Sequence, residues 1–302
     1  MKTAFLFAGQ GAQQIGMGKD FYDHLDSARK TYDEFPSIRD LCFEDRDGVL
    51  NQTAYAQKAM LLTSYVIADS LRKEGIEPEY VCGLSLGEYS ALAFGNVWPL
   101  KDAIEIITNR GRIMQDALPL GTTKMVAVLN LDRESIKKTL QQVKSGVVEI
   151  ANYNCPGQIV ITGENKAVDD AVELLKPLAR RCVPLNVSGA FHCSLLNHAG
   201  EQLRTVLDRF TPKKPSYKVL FNVSGKEEDA PLNDILERQI CHSVYFEDTI
   251  SNLLKEGVDT FVEIGPGKTL SSFVRKTAKT PITIINVSDY SSFEEALKVL
   301  KA

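Results

Sequence analysis

No apolar stretch of this 302-residue chain approaches the roughly 20 residues that a membrane-spanning helix needs, so a membrane protein of that kind is not expected. Charge of one sign is lacking too. Lys and Arg total 35 against 39 Asp and Glu, and the formal net charge of -4 is too small and too well mixed for a global field that would draw nucleic acid or a membrane surface. Neither partner is expected, although a local basic patch is compatible with these totals. The six cysteines, Cys42, Cys82, Cys155, Cys182, Cys193 and Cys241, contain no CxxC pair, and with histidine scarce no His/Cys cluster has metal-ligand spacing. No metal and no disulfide framework is expected; reduced thiols in a cytoplasm fit better. The Asn-x-Ser/Thr sequons at Asn51, Asn186, Asn222 and Asn286 then carry no sugar, because glycosylation requires secretion. Internal repeats and low-complexity tracts are absent as well. The opening MKTAFLF sets Lys2 before an apolar run, yet Gly9 and Gln10 interrupt it at about half the usual length of a signal-peptide core. It reads as a first strand.

What is present is an ordinary globular composition, 44% hydrophobic and 25% charged, on a chain long enough to bury a large core without staples. Short β-rich runs at 3–7, 78–83, 217–222, 259–265 and 282–287 alternate with helical patterns at 54–74, 86–94, 100–117, 195–210 and 246–255. Strands alternating with helices imply parallel pairing, with helices on both faces of the sheet. The middle differs. A strand at 124–130, a helix at 133–144, strands at 147–153 and 158–162, a helix at 166–179 and a strand at 181–187 make a βαββαβ order, the ferredoxin-like unit. The expected fold is therefore α/β. A large domain with a parallel sheet, built from 1–122 and 191–302, carries a small ferredoxin-like domain inserted at 123–190. The cleft between two such bodies is a favoured place for a ligand.

Within VCGLSLGEYSAL (81–92) the residues GLSLG fit G-x-S-x-G, the pattern of a nucleophile elbow. In that device a strand ends, the serine takes a sharp turn and a helix begins, so that the helix N-terminus and the amide after the serine can stabilise an oxyanion. The five-residue pattern arises by chance roughly once in ten chains of this length. Its context strengthens it, because a strand precedes it and a helix follows. Ser85 is thus a nucleophile or a turn serine, and a nucleophile needs a base. Of His24, His192, His198 and His242, His192 is favoured by its junction loop at the edge of the proposed cleft. Two Gly-rich stretches imitate other motifs and fail. GQGAQQ has Gln14 where a dinucleotide fingerprint needs its third glycine, and GPGKT has Val262 where a P-loop needs its first. Both read as turns that bring backbone amides to the carboxyl ends of strands.

Six motifs, FAGQGAQ (7–13), GLSLGEYSA (83–91), NRGRIMQ (109–115), ANYNCPGQIVITG (151–163), SGAFHCSLL (188–196) and FVEIGPGKTL (261–270), occur in an order and spacing that resemble the malonyl-CoA:acyl carrier protein transacylases. The resemblance runs over nearly the whole chain. It implies an α/β-hydrolase-like large domain and a serine–histidine dyad of Ser85 and His192. It also implies backbone oxyanion donors at Gln10 and Leu86, a histidine oriented by a carbonyl near Gln239, and Arg110 as receiver of the substrate's free carboxylate. A planar guanidinium can hold a carboxylate bidentately, whereas an acetyl group offers it nothing. Without the resemblance, an arginine that merely decorates a helix is the favoured reading of Arg110. The implied reaction is ping-pong transfer of a malonyl group from coenzyme A to the phosphopantetheine thiol of acyl carrier protein, with the coenzyme A thioester as substrate and no permanently bound cofactor. AFH at 190–192 resembles the malonyl-selective form of its loop.

Several positions depart from the family pattern: Leu84 stands where histidine is frequent, Ala8 and Ser243 where proline is common, and Cys193 where serine is usual. A monomer in the cytoplasm is expected. Its carrier protein is acidic, so a basic rim drawn from Arg180, Arg181, Lys213, Lys214, Arg275, Lys276 and Lys279 is expected at the cleft. A serine thioesterase, a polyketide acyltransferase and a non-catalytic scaffold are the competing readings.

Overall fold

The computed structural model describes residues 1–187 and 189–301, so Ser188 of the SGAFHCSLL motif lies outside the described residues. The N-terminal portion runs β1 (Thr3–Phe7), α1 (Lys19–His24), α2 (Asp26–Asp33), α3 (Pro36–Phe43), α4 (Thr53–Lys73), β2 (Tyr80–Gly83), α5 (Leu86–Phe94) and α6 (Leu100–Asp116). The middle comprises β3 (Thr123–Leu129), α7 (Arg133–Leu140), β4 (Val148–Cys155), β5 (Gln158–Glu164), α8 (Asn165–Leu175) and β6 (Arg181–Pro184). After a 3₁₀ turn at Ser194–Leu196 come α9 (Asn197–Leu207), β7 (Lys218–Val219), α10 (Leu232–Cys241), β8 (Val244–Tyr245), α11 (Phe246–Lys255), β9 (Thr260–Ile264), α12 (Thr269–Thr277), β10 (Thr283–Val287) and α13 (Tyr290–Leu300).

One sheet is wholly parallel, in the order β10-β9-β1-β2-β7, with β1 paired to β2 from Ala4↔Tyr80 to Phe7↔Gly83. All five residues of β1 are buried, as a strand covered on both faces requires. Helix α5 lies against it: the Phe94 ring sits 5.8 Å from those of Phe5 and Phe7. The second sheet runs β6-β3-β5-β4-β8, and its first four strands are antiparallel in the ferredoxin-like order.

Its fifth strand was not foreseen. Residues of β8, from the C-terminal part of the chain, pair in parallel with β4 through Asn152↔Val244 and Tyr153↔Tyr245, and the two tyrosine rings stack at 4.9 Å. Ser243, at the position where proline is common in the family, donates its hydroxyl to the Ile150 carbonyl at 2.5 Å across the same seam. Other differences are local. The helix expected at 195–210 begins as a 3₁₀ turn and ends at Leu207, and the strand expected at 217–222 is reduced to Lys218–Val219. The strand expected at 181–187 ends at Pro184, although the Leu185 amide still donates to the Met125 carbonyl at 2.9 Å. Helices α1 to α3, α10, α12 and α13 also lie outside the expected elements. Several are short, and their amphipathic patterns are brief.

Candidate active site

The two glycines of GLSLG are needed for close approach. A Cβ on Gly83 would stand 2.1 Å from the Gly87 carbonyl carbon, and one on Gly87 would stand 2.1 Å from the Phe7 carbonyl oxygen. The turn between them is tight enough that Ser85 adopts φ 54°, ψ -105° before α5 begins at Leu86. Among the described residues the other non-glycine positive-φ positions are Asp45, Asn96, Asn130 and His192, types that tolerate this region better than serine does. Such a conformation costs on the order of 1–3 kcal/mol and persists only where its surroundings over-determine it.

His192 meets Ser85 across the fold: Ser85 Oγ and His192 Nε2 are 2.7 Å apart. The other ring nitrogen, Nδ1, is 2.8 Å from the Gln239 carbonyl oxygen; a proton there donates to that carbonyl and leaves Nε2 free to accept from the serine hydroxyl. Burial, with the nearby Arg110 charge adding to it, lowers the imidazole pKa to about 4, so the ring is neutral at pH 7. His24, His198 and His242 are engaged elsewhere, His24 stacking on Tyr290 and His198 facing Glu201 on an exposed helix surface.

Arg110 is fully buried on α6, behind the serine rather than in the wall of the cleft. Its Nη1 donates to Gln57 Oε1 at 2.7 Å, and its Nη2 to Gln239 Oε1 at 3.0 Å and to Ser85 Oγ at 3.2 Å. The guanidinium lies over the Tyr89 ring at 4.8 Å. Burial lowers its pKa, and the Tyr89 hydroxyl favours the charged form without completing a hydrogen bond to Nε, which has none. Among the described residues no carboxylate stands at ion-pair distance from it. A buried cation of this kind, with Nε unpartnered, retains a donor that a carboxylate could take up.

Gln239 contributes more than its carbonyl. Its Nε2 donates to the Ser85 carbonyl at 2.8 Å, so one residue touches the histidine, the arginine and the elbow. Gln10 follows β1 and lines the cleft; its side chain donates to Thr53 Oγ1 at 3.1 Å. Leu86 opens α5, so its amide has no carbonyl one turn back to bond. The cleft itself has a volume of about 1190 Å³ and runs between the carboxyl ends of the parallel strands and the face of the second sheet, touching Gly9, Ser85, Asn152, Val160, His192 and Phe273. Among the described residues no helix is long and apolar enough to cross a membrane, and no group of three His, Cys, Asp or Glu side chains converges to hold a metal ion.

A family model described as "Acyl transferase domain" matches residues 4–295. The chain belongs to this acyl transferase family. It is 42% identical to the malonyl CoA-acyl carrier protein transacylase of Bacillus subtilis (strain 168), over 99% of this chain and 98% of that one. The crystal structure of the malonyl CoA-acyl carrier protein transacylase from Clostridium perfringens Atcc 13124 superposes with a TM-score of 0.97 at 40% identity, covering 100% of this chain and 98% of that one. A malonyl-transacylase in complex with its type II PKS acyl-carrier protein superposes with a TM-score of 0.94 at 33% identity, covering 99% of this chain and 100% of that one.

Three residues around the acyl transferase site escaped the sequence reading. Gln57 holds Arg110 from α4, Asn222 holds the Ser85 amide at 2.7 Å, and Glu88 lies buried beneath Asn222. Asn222 had one signal, its place at the carboxyl end of a strand candidate, where ligands of parallel sheets gather. The basic rim is only partly assembled. Arg180, Arg181 and Lys276 line a second hollow of about 490 Å³ that shares Gln158 with the main cleft. Lys213 lies at the other end of α5, its amide bonded to the Val97 carbonyl, about 13 Å of helix away from Ser85.

Proposed function

We propose that this acyl transferase moves a malonyl group from coenzyme A to the phosphopantetheine thiol of acyl carrier protein, through an ester on Ser85, in the cytoplasmic synthesis of fatty acids. The observation that carries this reading is the contact of Ser85 Oγ with both a neutral imidazole at 2.7 Å and a buried, carboxylate-free guanidinium at 3.2 Å. A nucleophile of this kind serves acyl transfer, and the guanidinium selects an acyl group that ends in a carboxylate.

In the proposed reaction His192 Nε2 takes the Ser85 hydroxyl proton as Oγ bonds the thioester carbonyl carbon. The oxyanion is received by the amides of Leu86 and Gln10. The C–S bond then breaks and the departing thiolate takes the proton from His192. In the second half the carrier thiol gives its proton to His192 and attacks the ester carbonyl, the C–O bond breaks, and Ser85 recovers the proton. The malonyl carboxylate replaces the Arg110–Ser85 contact and accepts from the unpartnered Nε as well, a charge-assisted bidentate pair. An acetyl group leaves that buried cation without an anion, which is a strong ground for rejection.

The same reading assigns residues 1–122 and 191–302 to the catalytic domain and 123–190 to the small domain, with β8 lent across the seam. Action as a monomer belongs to the same reading. Six unpaired thiols suit a reducing compartment. Intact-mass measurement after brief exposure to malonyl-CoA, acetyl-CoA and methylmalonyl-CoA tests the reading. A malonyl adduct alone, absent from Ser85→Ala, is the expected result; no adduct from malonyl-CoA, or an adduct that survives Ser85→Ala, would remove it.

A further inference from the structure

Asn222, fully buried just past β7, has a role that the transfer steps above do not use. Its Oδ1 accepts the Ser85 amide proton at 2.7 Å and its Nδ2 donates to the Gly83 carbonyl at 2.7 Å. These are the two main-chain groups on either side of the bend. Neither β2 nor α5 can satisfy both, because the chain leaves the strand at one and has not entered the helix at the other. Only a side-chain amide offers a donor and an acceptor at that spacing; Asp lacks the donor, and Leu, of the same shape, lacks both. The Oδ1 atom also lies 3.5 Å from Gln239 Nε2, and the Asn222 carbonyl accepts the Tyr245 amide at 2.8 Å. One side chain therefore stands against the nucleophile's strained peptide and against the residue whose carbonyl orients His192.

We propose that Asn222 is a positioning residue for acylation, a brace that holds the Ser85 elbow in its strained conformation, with the Glu88 carboxyl as its footing on α5. Asn222 donates its own amide proton to Glu88 Oε2 at 2.6 Å, while Glu88 Oε1 has no hydrogen-bond partner. Among the described residues no cation is paired with this carboxyl. Arg110 on α6 is within its field but already bonded to Gln57, Gln239 and Ser85. The remaining titratable neighbours, Cys82 on β2 and Tyr89 on α5, have their pKa values raised by burial and are uncharged at neutral pH. Burial pushes Glu88 up to about 8, opposed by the Asn222 amide and the Arg110 charge, so the footing is a neutral acid at pH 7. Ionised above that range, it draws on the same guanidinium that the malonyl carboxylate needs.

The inference rests on the transfer reading, and single-turnover formation of malonyl-serine from malonyl-CoA tests the two separately. A wild-type enzyme that forms no adduct refutes the transfer reading; a wild-type adduct with an indifferent Asn222 refutes only this inference. Asn222→Leu is expected to slow acylation about 10²-fold, the cost of a misplaced reacting group, while KM for malonyl-CoA stays within about threefold because Arg110 and Gln57 are untouched. A fall of less than about threefold, or a KM that rises in step with the fall, overturns the proposal. Glu88→Gln, which keeps an acceptor for the Asn222 amide and cannot ionise, covers the case in which the leucine variant does not fold. Wild-type acylation is expected to decline as pH rises through about 8, and Glu88→Gln is expected to lose that decline. Superimposable profiles overturn the role given to Glu88, and with it the brace as stated.

Discussion

At the scale of the residue, the guanidinium proposed to select the acyl group also adds to burial in keeping the imidazole neutral. Burial depresses the His192 pKa most and the Arg110 charge adds to it, so the charge that would receive a malonyl carboxylate also helps to keep the base unprotonated. Two outcomes follow from that sharing. Arg110→Ala is expected to lower kcat/KM for malonyl-CoA by about 10²-fold or more and to leave acetyl-CoA nearly unaffected, read by competition between the two thioesters. Equal losses on both would mean that the arginine serves only the fold. The pH profile carries the second outcome. A base with its pKa lowered to about 4 stays competent as pH falls past the ordinary histidine range, so kcat/KM should show no histidine limb between about 5 and 7. In Arg110→Gln, with the like charge removed, that limb should move upward, toward the ordinary histidine value. A wild-type limb near 6.5 would contradict the burial of His192.

At the scale of the element, catalysis depends on how closely α5 approaches β1 and β2. The approach is set by Gly83 and Gly87, at neither of which there is space for a methyl group. Gly87→Ala would place its Cβ 2.1 Å from the Phe7 carbonyl, an atom fixed in the middle of the parallel sheet, so the helix itself must move. Overpacking usually costs about 1–3 kcal/mol, and a clash against backbone belongs at or above the top of that range. Urea unfolding is expected to show a loss of about 3 kcal/mol, accompanied by slower acylation; a variant as stable and as fast as the parent would mean that the elbow tolerates a looser packing. This element was legible in the chain because its strand, its turn and its helix are contiguous over residues 80–94, and each local preference agrees with the next. Elements such as α10 and β8 were not legible. Val244 and Tyr245 form a strand only because β4 offers them an edge, and two residues carry no periodicity of their own.

At the scale of the whole molecule, the cleft and the basic hollow beside it define how a large partner could reach Ser85. Arg180 and Arg181, at the start of β6, and Lys276 on α12 come from the two sides of the cleft and meet in one hollow. An acidic carrier protein steered to that place gains rate more than affinity, and loses it as salt screens the charges over about 8–10 Å. Transfer to carrier protein is expected to slow as ionic strength rises while formation of malonyl-serine changes little. Glu substitutions at Arg180 and Lys276 should flatten that salt response, and Glu substitutions at Lys213 and Lys214 should not. An identical salt response in every variant would move the docking face elsewhere.

By itself the chain's sequence determined the alternation of elements, the parallel sheet, the βαββαβ middle and the elbow around Ser85, because each rests on neighbours in the chain: apolar periodicity, glycine at a close approach, a serine where a strand gives way to a helix. The distances that make those residues a site came only with the tertiary structure. Ser85 and His192 are 107 positions apart, Arg110 and Gln239 are 129, and nothing in their local sequence encodes a contact of 2.7 or 3.0 Å. Even Asn222, which reads as an idle glycosylation sequon, is a fully buried brace. Its role is set by a bend in another part of the chain, through groups that only packing of β2, α5 and α10 brings within hydrogen-bonding reach.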